Sequence, residues 1–257
     1  MCARRPRVTS PVVASSSSRT DRPLPLVPHD PGRSAGVVSR PTPFASRSGV
    51  GDAAGVDDDL TNVLERSRTL GFLGPGPVTD HIEHAQRLVA VLDALPLPTA
   101  GTGVDLGSGG GVPGLVVARA LPTWRWILLD AMERRTAFLD QAVHDLGLRH
   151  VEVRRERAEL SGRSELRHGV DLVVARSFGP PAVTAECAAP LLRVGGILVV
   201  SEPPTSDGAR WSADGLRSLG LDPEPLARGT WIAFRQDEKA PESAPRAVGR
   251  PGKRPLW

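Results

Sequence analysis

A dense run of glycines lies between two apolar segments in residues 103–115, which read GVDLGSGGGVPGL. The apolar run before the glycines ends at Asp105, and Pro113 opens an apolar helical pattern after them. A strand, a tight glycine turn and a helix N-terminus in this order bring main-chain amides close to a ligand, because glycine adopts backbone angles that other residues avoid. The stretch therefore predicts a ligand-binding turn.

The glycines fit two motifs, and the choice between them decides the ligand. Gly109, Gly111 and Gly114 fit the G-x-G-x-x-G of dinucleotide-binding proteins. Gly107, Gly109 and Gly111 instead fit the G-x-G-x-G of proteins that bind S-adenosylmethionine (SAM). A carboxylate at Asp105 suits the ammonium group of SAM and would repel a pyrophosphate. The chain also contains no Tyr, which removes the Tyr-Lys pair of short-chain dehydrogenases, so SAM is favoured and a dinucleotide stays the alternative.

Further candidate residues follow the ends of other predicted strands. Asp130 ends the second strand, where either fold places an acid on the ribose hydroxyls. Ala158 and Glu159 follow the third strand, where such a pair commonly meets the adenine ring, although Glu159 alone also fits a solvated helix start. Arg176 follows the fourth strand and should face the crevice at the carboxyl ends of the strands. We predict that Arg176 is the catalytic residue and orients the target or the carboxylate of the cofactor.

The elements that must position these residues alternate between strands and helices. Strands are predicted at 103–106, 124–129, 151–153, 171–175, 197–201 and 229–235, and helices at 57–66, 78–95, 113–121, 133–146, 182–192 and 214–219. This order predicts an α/β fold with a mainly parallel, doubly wound sheet and N-terminal helices. We expect a disordered leader rich in Pro, Ser and Arg over residues 1–55, the folded domain over 56–240, and a flexible basic tail over 241–257.

Composition narrows the class of protein further. Cys2 and Cys187 are the only cysteines, which excludes a disulfide scaffold and a Cys-rich zinc site and favours a cytoplasmic setting. No run of eighteen apolar residues is present, so we expect no membrane span. The net charge of +3 permits a polyanionic partner. His81 and His84 lie one helical turn apart without further ligands at a suitable spacing, so we expect surface or packing roles and no metal site. We also expect the protein to be a monomer.

Taken together, these residues resemble the bacterial family of small-subunit rRNA guanine-N7 methyltransferases known as RsmG or GidB. The stretches that carry the resemblance are residues 104–114, 128–130, 134–135, 138–139, 157–159, 173–178, 190–196 and the tail 245–256. The resemblance covers roughly residues 57–257. It implies a Rossmann-like class I methyltransferase fold, and a partner that is 16S rRNA or the small ribosomal subunit.

The resemblance also implies an activity and its contacts. The methyl acceptor would be N7 of a guanine in the decoding-region loop of 16S rRNA, and SAM contacts would fall at Gly107, Val112, Ala158, Glu159 and Arg176. Guanine N7 is a lone-pair nucleophile without a proton, so methyl transfer needs alignment and desolvation and does not require a general base. The scarcity of general-base candidates in the sequence agrees with this chemistry.

One departure from the family pattern keeps an alternative open. The fifth strand of the family commonly runs into Lys-Gly, whereas here Glu202 is followed by two prolines. An acid near the cleft in place of a base would disfavour RNA. The alternative is therefore a SAM-binding protein of methyltransferase fold that acts on a small molecule or lacks rRNA activity. The Arg pairs at 134–135 and 154–155, and more strongly the basic tail, are candidates for contacts with RNA phosphates.

Overall fold

The computed structural model describes residues 53–257, with side chains from Asp58 onward. The predicted leader thus lies outside the described residues, except for its last positions, which belong to the first helix. That helix, α1, spans Ala53–Thr69 and begins before the acidic residues at which its start was predicted. None of the helices in the described part of the chain combines the length and the apolar character that crossing a membrane requires.

A six-stranded sheet in the order β3-β2-β1-β4-β5-β6 forms the centre of the domain. The strands are β1 Thr102–Leu106, β2 Arg125–Asp130, β3 Val151–Arg155, β4 Val170–Ala175, β5 Leu192–Ser201 and β6 Trp231–Arg235. All neighbouring pairs are parallel except β5 with β6, which is antiparallel. The strand order reverses between β1 and β4, and ligands of such sheets bind in the crevice at that point. The predicted mainly parallel, doubly wound sheet is confirmed.

Helices cover the sheet on both faces. After α1 they are α2 Val78–Ala94, α3 Gly114–Ala120, α4 Glu133–Asp145, α5 Ala158–Ser161, α6 Pro181–Ala188, α7 Ala213–Ser218 and α8 Arg250–Lys253. Strand β4 shows why two layers form, because its side chains alternate between faces. Leu172 and Val174 join the core packed under α2 and α3, whereas Val173 and Ala175 join the core under α6 and α7. Trp124 and Trp126 are both buried in the core under α2 and α3.

Two boundaries near the end of the domain differ from the prediction. Helix α6 ends at Ala188, because the chain enters β5 at Leu192. Gly195 and Gly196, which fall between the predicted helix 182–192 and the predicted strand 197–201, lie inside β5, and the register against β4 shifts between Val170 and Leu172 to accommodate them. Between the pairs Val170–Leu192 and Leu172–Ile197 the chain advances two residues in β4 and five in β5, so β5 carries three extra residues at this point.

The expectation of a flexible tail over 241–257 is wrong. Ala244 is buried, Arg246 pairs with the buried Glu186 of α6, and Trp257 packs against Gly215 of α7. The physical reason is that buried carboxylates and arginines of the domain satisfy the polar groups of this segment, which composition alone does not reveal. The boundary at residue 240 therefore does not separate a free tail from the folded domain.

Candidate functional site

The turn between β1 and α3 has the geometry that its glycines predict. Gly107, Gly109 and Gly111 have φ angles of 77°, 53° and 96°, a region that favours glycine. A Cβ atom on Gly107 would lie 2.6 Å from the Phe178 ring, and one on Gly111 would lie 2.5 Å from Leu115. The backbone amides of Gly107 and its neighbour donate to Leu129 O of β2, at 2.8 and 3.0 Å. Side chains are thus excluded at Gly107 and Gly111, and the main chain of the turn lines the crevice at Gly107 and Gly109.

Asp105 lies beneath this turn. Its carboxyl group is buried, and its Oδ2 accepts a hydrogen bond from Gly114 N at 3.0 Å, which ties β1 to the first residue of α3. Its Oδ1 is buried and finds no hydrogen-bond partner among the described residues. Burial raises the pKa of Asp105 from 3.8 to about 7. A buried, half-satisfied carboxyl group is costly, and such groups concentrate at functional sites.

Asp130 at the end of β2 connects that strand to the turn. Its Oδ2 accepts from Gly109 N at 2.9 Å, and its Oδ1 accepts from Met132 N at 2.8 Å. The guanidinium of Arg135 lies 3.6 Å from Oδ2. Because a carboxylate oxygen can accept two hydrogen bonds, each oxygen keeps capacity for one more donor.

Two adjoining chambers open along the turn. The large chamber has a volume of about 390 Å³, and its wall includes Asp130, Met132, Ala158, Glu159, Phe178 and Gly249. The small chamber has a volume of about 200 Å³, and its wall includes Phe72, Gly74, Gly109, Val112 and Arg176. Gly107, Arg135 and Ser177 line both chambers and mark where they meet. The crevice therefore offers a longer ligand two compartments joined at the first glycine of the turn.

The structure brings most of the predicted site residues to these walls. Those in the large chamber are Asp130, Ala158 and Glu159, those in the small chamber are Gly109, Val112 and Arg176, and Gly107 lines both. Asp105 and Gly111 line neither chamber and instead shape the turn from below. Glu159 is buried, and its Oε1 accepts from Gly249 N at 2.8 Å, so it is not the solvated helix start of the alternative interpretation.

Arg176 is held by a histidine that sequence reasoning had assigned to packing or surface. Its Nη2 donates to His81 Nδ1 at 2.5 Å, and His81 Nε2 lies 3.2 Å from Gly74 O. This arrangement fits a neutral imidazole that donates through Nε2 and accepts through Nδ1. Nη1 of Arg176 is buried and without a partner in the described part of the chain. Burial lowers the pKa of Arg176, and the charge of Asp105 opposes that shift.

His84 has the packing role that was predicted for both histidines. Its Nε2 lies 2.9 Å from Ser201 Oγ, and its ring lies 4.7 Å from that of Trp231. Burial lowers the pKa of His84 to about 4, and Arg176 nearby adds to the shift. The only sequence signal for His81 was its one-turn spacing from His84, which does not tell the two roles apart. Across residues 53–257, no three His, Cys, Asp or Glu side chains are grouped so that they could hold a metal ion.

Glu202 does not present an acid to the crevice. Its side chain is 2% exposed, accepts from Trp211 Nε1 at 3.0 Å and from the Ser206 hydroxyl, and lies 3.9 Å from Arg210. It therefore points into the protein, and the expectation of an acid that disfavours RNA near the cleft is wrong. The sequence revealed the position of Glu202 after β5 but not the direction of its side chain.

Comparison with known proteins agrees with this geometry. A family model described as rRNA small subunit methyltransferase G matches residues 80–202. Ribosomal RNA small subunit methyltransferase G of Syntrophomonas wolfei is 32% identical over 191 residues, covering 71% of this chain and 87% of that protein. The protein of the same name from Moorella thermoacetica is 33% identical over 174 residues, covering 63% and 72%.

Solved structures show the same fold. A cofactor-bound protein from MTB superposes with a TM-score of 0.50 at 17% identity, covering 72% of this chain and 93% of that chain. A protein from Corynebacterium glutamicum gives a TM-score of 0.50 at 17% identity, covering 71% and 91%. The predicted Rossmann-like α/β fold is thereby confirmed. By its sequence relatives, and in agreement with its fold and glycine turn, this chain belongs to the rRNA small subunit methyltransferase G family.

Proposed function

We propose that this protein transfers a methyl group from SAM to N7 of a guanine in the decoding-region loop of 16S rRNA. The observation that carries the proposal is the glycine turn, which joins two chambers and has an unpartnered carboxyl oxygen and an unpartnered guanidinium nitrogen close to it. The relatives in the same family are named for methylation of small-subunit ribosomal RNA. These names support methyl transfer to ribosomal RNA as the class of reaction that the site performs.

The small chamber fits the amino-acid end of SAM. Arg176 Nη1, on its wall, can donate to a carboxylate, and Asp105, which lies beneath the turn and lines neither chamber, has its Oδ1 free to accept from an ammonium group. Both atoms are buried without partners in the described residues. Buried polar atoms are normally hydrogen-bonded, so a ligand that satisfies both explains them together. A pyrophosphate would meet the Asp105 carboxylate instead, which argues against a dinucleotide.

The large chamber fits the adenosine end. Asp130 retains acceptor capacity on both oxygens, as two ribose hydroxyls require. Ala158 and Glu159 lie beyond it and would face the adenine ring, with Phe178 on the same wall. The sulfonium of bound SAM would then lie near Gly107, where the chambers meet.

The chain contributes positioning and desolvation to the reaction. Bound SAM supplies an electrophilic methyl group. Arg176, held by His81, would orient the amino-acid end or the guanine, and the chamber walls would exclude water from the reacting atoms. Since N7 carries no proton, the absence of a general base from the proposed set of residues is consistent with the chemistry.

The proposed partner is 16S rRNA, either free or in the small ribosomal subunit. We also propose that the protein is a cytoplasmic monomer without a resident metal. Support for a monomer is that one chain supplies the walls of both chambers. Arg154 and Arg155 are paired with acidic residues of the domain, and Arg135 lies 3.6 Å from Asp130, which leaves the exposed Arg134 as the better phosphate contact of the two arginine pairs.

Incubation with methyl-labelled SAM tests the proposal. We expect label in 7-methylguanosine after digestion of 16S rRNA, presented as naked RNA or as small subunits. Heat-inactivated protein and 23S rRNA serve as controls. SAM binding without transfer to either form of 16S rRNA would overturn the rRNA assignment and favour the small-molecule alternative.

The raised pKa of Asp105 predicts two opposite pH effects. Its folded pKa of about 7 lies above the reference value of 3.8, so the free protein holds this proton more tightly than the unfolded chain. The contribution of Asp105 to the free energy of unfolding therefore falls as pH rises from about 4 to about 7. An ammonium group favours the ionised form, so SAM affinity should rise as pH increases from 6 to 8.

Calorimetric titrations with SAM at pH 6, 7 and 8 measure this affinity. Asp105→Asn keeps an oxygen for Gly114 N and should remove both the pH slope and part of the affinity. An unchanged slope in the Asn variant would exclude Asp105 as its source.

A further inference from the structure

The last segment of the chain is part of a chamber wall. We define residues 245–253 as the C-terminal strap. Gly249 and Gly252 of the strap line the large chamber, on whose wall Ala158 and Glu159 also lie. Gly249 N donates to Glu159 Oε1 at 2.8 Å, so the strap and the start of α5 are joined at the chamber wall. A segment that composition suggests is an RNA-binding tail thus lies where the cofactor is proposed to bind.

A buried ion pair fixes the start of the strap. Both the backbone N and the guanidinium of Arg246 donate to the Glu186 carboxylate, at 2.9, 2.7 and 2.6 Å. Glu186 is 1% exposed, so its charge is stabilised mainly by this bidentate pair. Arg246 also donates to Arg254 O at 2.7 Å, which ties the start of the strap to the residue that follows its end.

Two arginines of the loop after α5 hold the first residue of the strap and the residue before it. Arg163 donates to Pro245 O through Nε and Nη2, at 3.0 and 2.6 Å. Arg167 donates to Ala244 O at 2.8 Å. These are charge-assisted contacts to backbone carbonyls at adjacent positions, so they fix the path of the chain rather than one side chain. The strap is therefore placed by the same domain that carries the glycine turn.

Gly252 allows the wall to be altered without disturbing the fold. It lies in α8 with no unusual φ angle, and a Cβ atom built on it would meet nothing within 4 Å. Because Gly252 lines the large chamber, a larger side chain has open space next to the cavity. Gly249 has a φ of 75°, so a side chain at this position would strain the backbone.

We propose that the C-terminal strap closes the adenosine end of the cofactor site, with Glu159 and Glu186 as its positioning residues. The inference rests on the proposed binding of SAM but not on the identity of the methyl acceptor. It assigns to Glu159 a task beyond contact with adenine, which is to hold the backbone of the strap. It also gives the basic C-terminal segment a role in cofactor binding.

Binding of SAM and of adenosine to full-length protein tests the inference. Gly252→Ala should bind both ligands as the wild type does, because one methyl group leaves most of the chamber open. Gly252→Phe should bind both at least tenfold more weakly, with an unchanged Tm. Lys253→Phe, exposed on the same helix, is the matched control and should bind normally. Equal affinity of Gly252→Phe and wild type for adenosine would overturn the inference.

Hydrogen exchange of the strap supplies a second readout that needs no ligand. Glu159→Ala should speed exchange in residues 245–253 of the free protein, whereas Glu159→Gln, which keeps an acceptor for Gly249 N, should restore protection. A residue that only contacts adenine would change neither rate, and unchanged exchange in Glu159→Ala would overturn its positioning role. Wild type that binds neither SAM nor adenosine would overturn the proposed function and this inference together. Normal binding without rRNA methylation would overturn the proposed rRNA activity alone.

Discussion

Replacing Arg176 with alanine should lower the kcat of methyl transfer by about 100-fold, the scale of losing a charged donor from a preorganised site. The variant should stay folded, because the lost contact to His81 is a single hydrogen bond worth about 1 kcal/mol. Arg176→Lys keeps the positive charge, but its single ammonium group cannot contact His81 and the chamber at the same time, as the planar guanidinium does. This variant should therefore rescue little activity. Single-turnover assays with saturating SAM and 16S rRNA measure the effect.

The two histidines of α2 provide the control for this experiment. His81→Ala leaves the Arg176 charge in place but removes the group that aims it, so kcat should fall by a smaller factor at unchanged Tm. His81→Gln, whose amide oxygen can accept from Arg176, should recover part of the loss. His84→Ala should leave kcat unaffected, since His84 contacts Ser201 and Trp231. Full activity in Arg176→Ala would remove that residue from the site.

Replacing Asp130 with alanine should weaken SAM binding by at least about 100-fold, because two charge-assisted hydrogen bonds to ribose, together worth about 3–6 kcal/mol, are lost. The same change removes acceptors from Gly109 N and Met132 N, so Tm should fall as well. Asp130→Asn keeps part of this capping and should separate the two effects, with near-normal Tm and weakened binding.

Calorimetry with SAM and with adenosine measures the Asp130 variants. Adenosine affinity should fall as far as SAM affinity, since the ribose belongs to both. Asp140→Ala, an exposed acid on α4, is the control for removal of one negative charge. Wild-type adenosine affinity in Asp130→Ala would contradict the assignment of the large chamber to adenosine.

The sequence by itself determined the turn and the strand ends. Gly107 and Gly111 were recognisable because their backbone angles are a local property, and no other residue type adopts them cheaply. Asp130 and Arg176 could be placed at one edge because parallel strands bring their carboxyl ends together. Ala158 and Glu159 followed from their position after the third strand, and family resemblance then added Val112; the structure places all three on chamber walls.

Only the tertiary structure decided which of these residues depend on distant partners. His81 and Arg176 are 95 positions apart, and Glu159 and Gly249 are 90 apart. No periodicity or spacing links such pairs, because side-chain direction follows from packing across the whole domain. For the same reason Glu202 was located correctly but judged to face the crevice, whereas Trp211 and Ser206 hold its carboxylate inside. Composition marked the C-terminal segment as a free basic tail. The pairing of Arg246 with the buried Glu186 instead holds this segment against the domain, where it forms part of the wall of the large chamber.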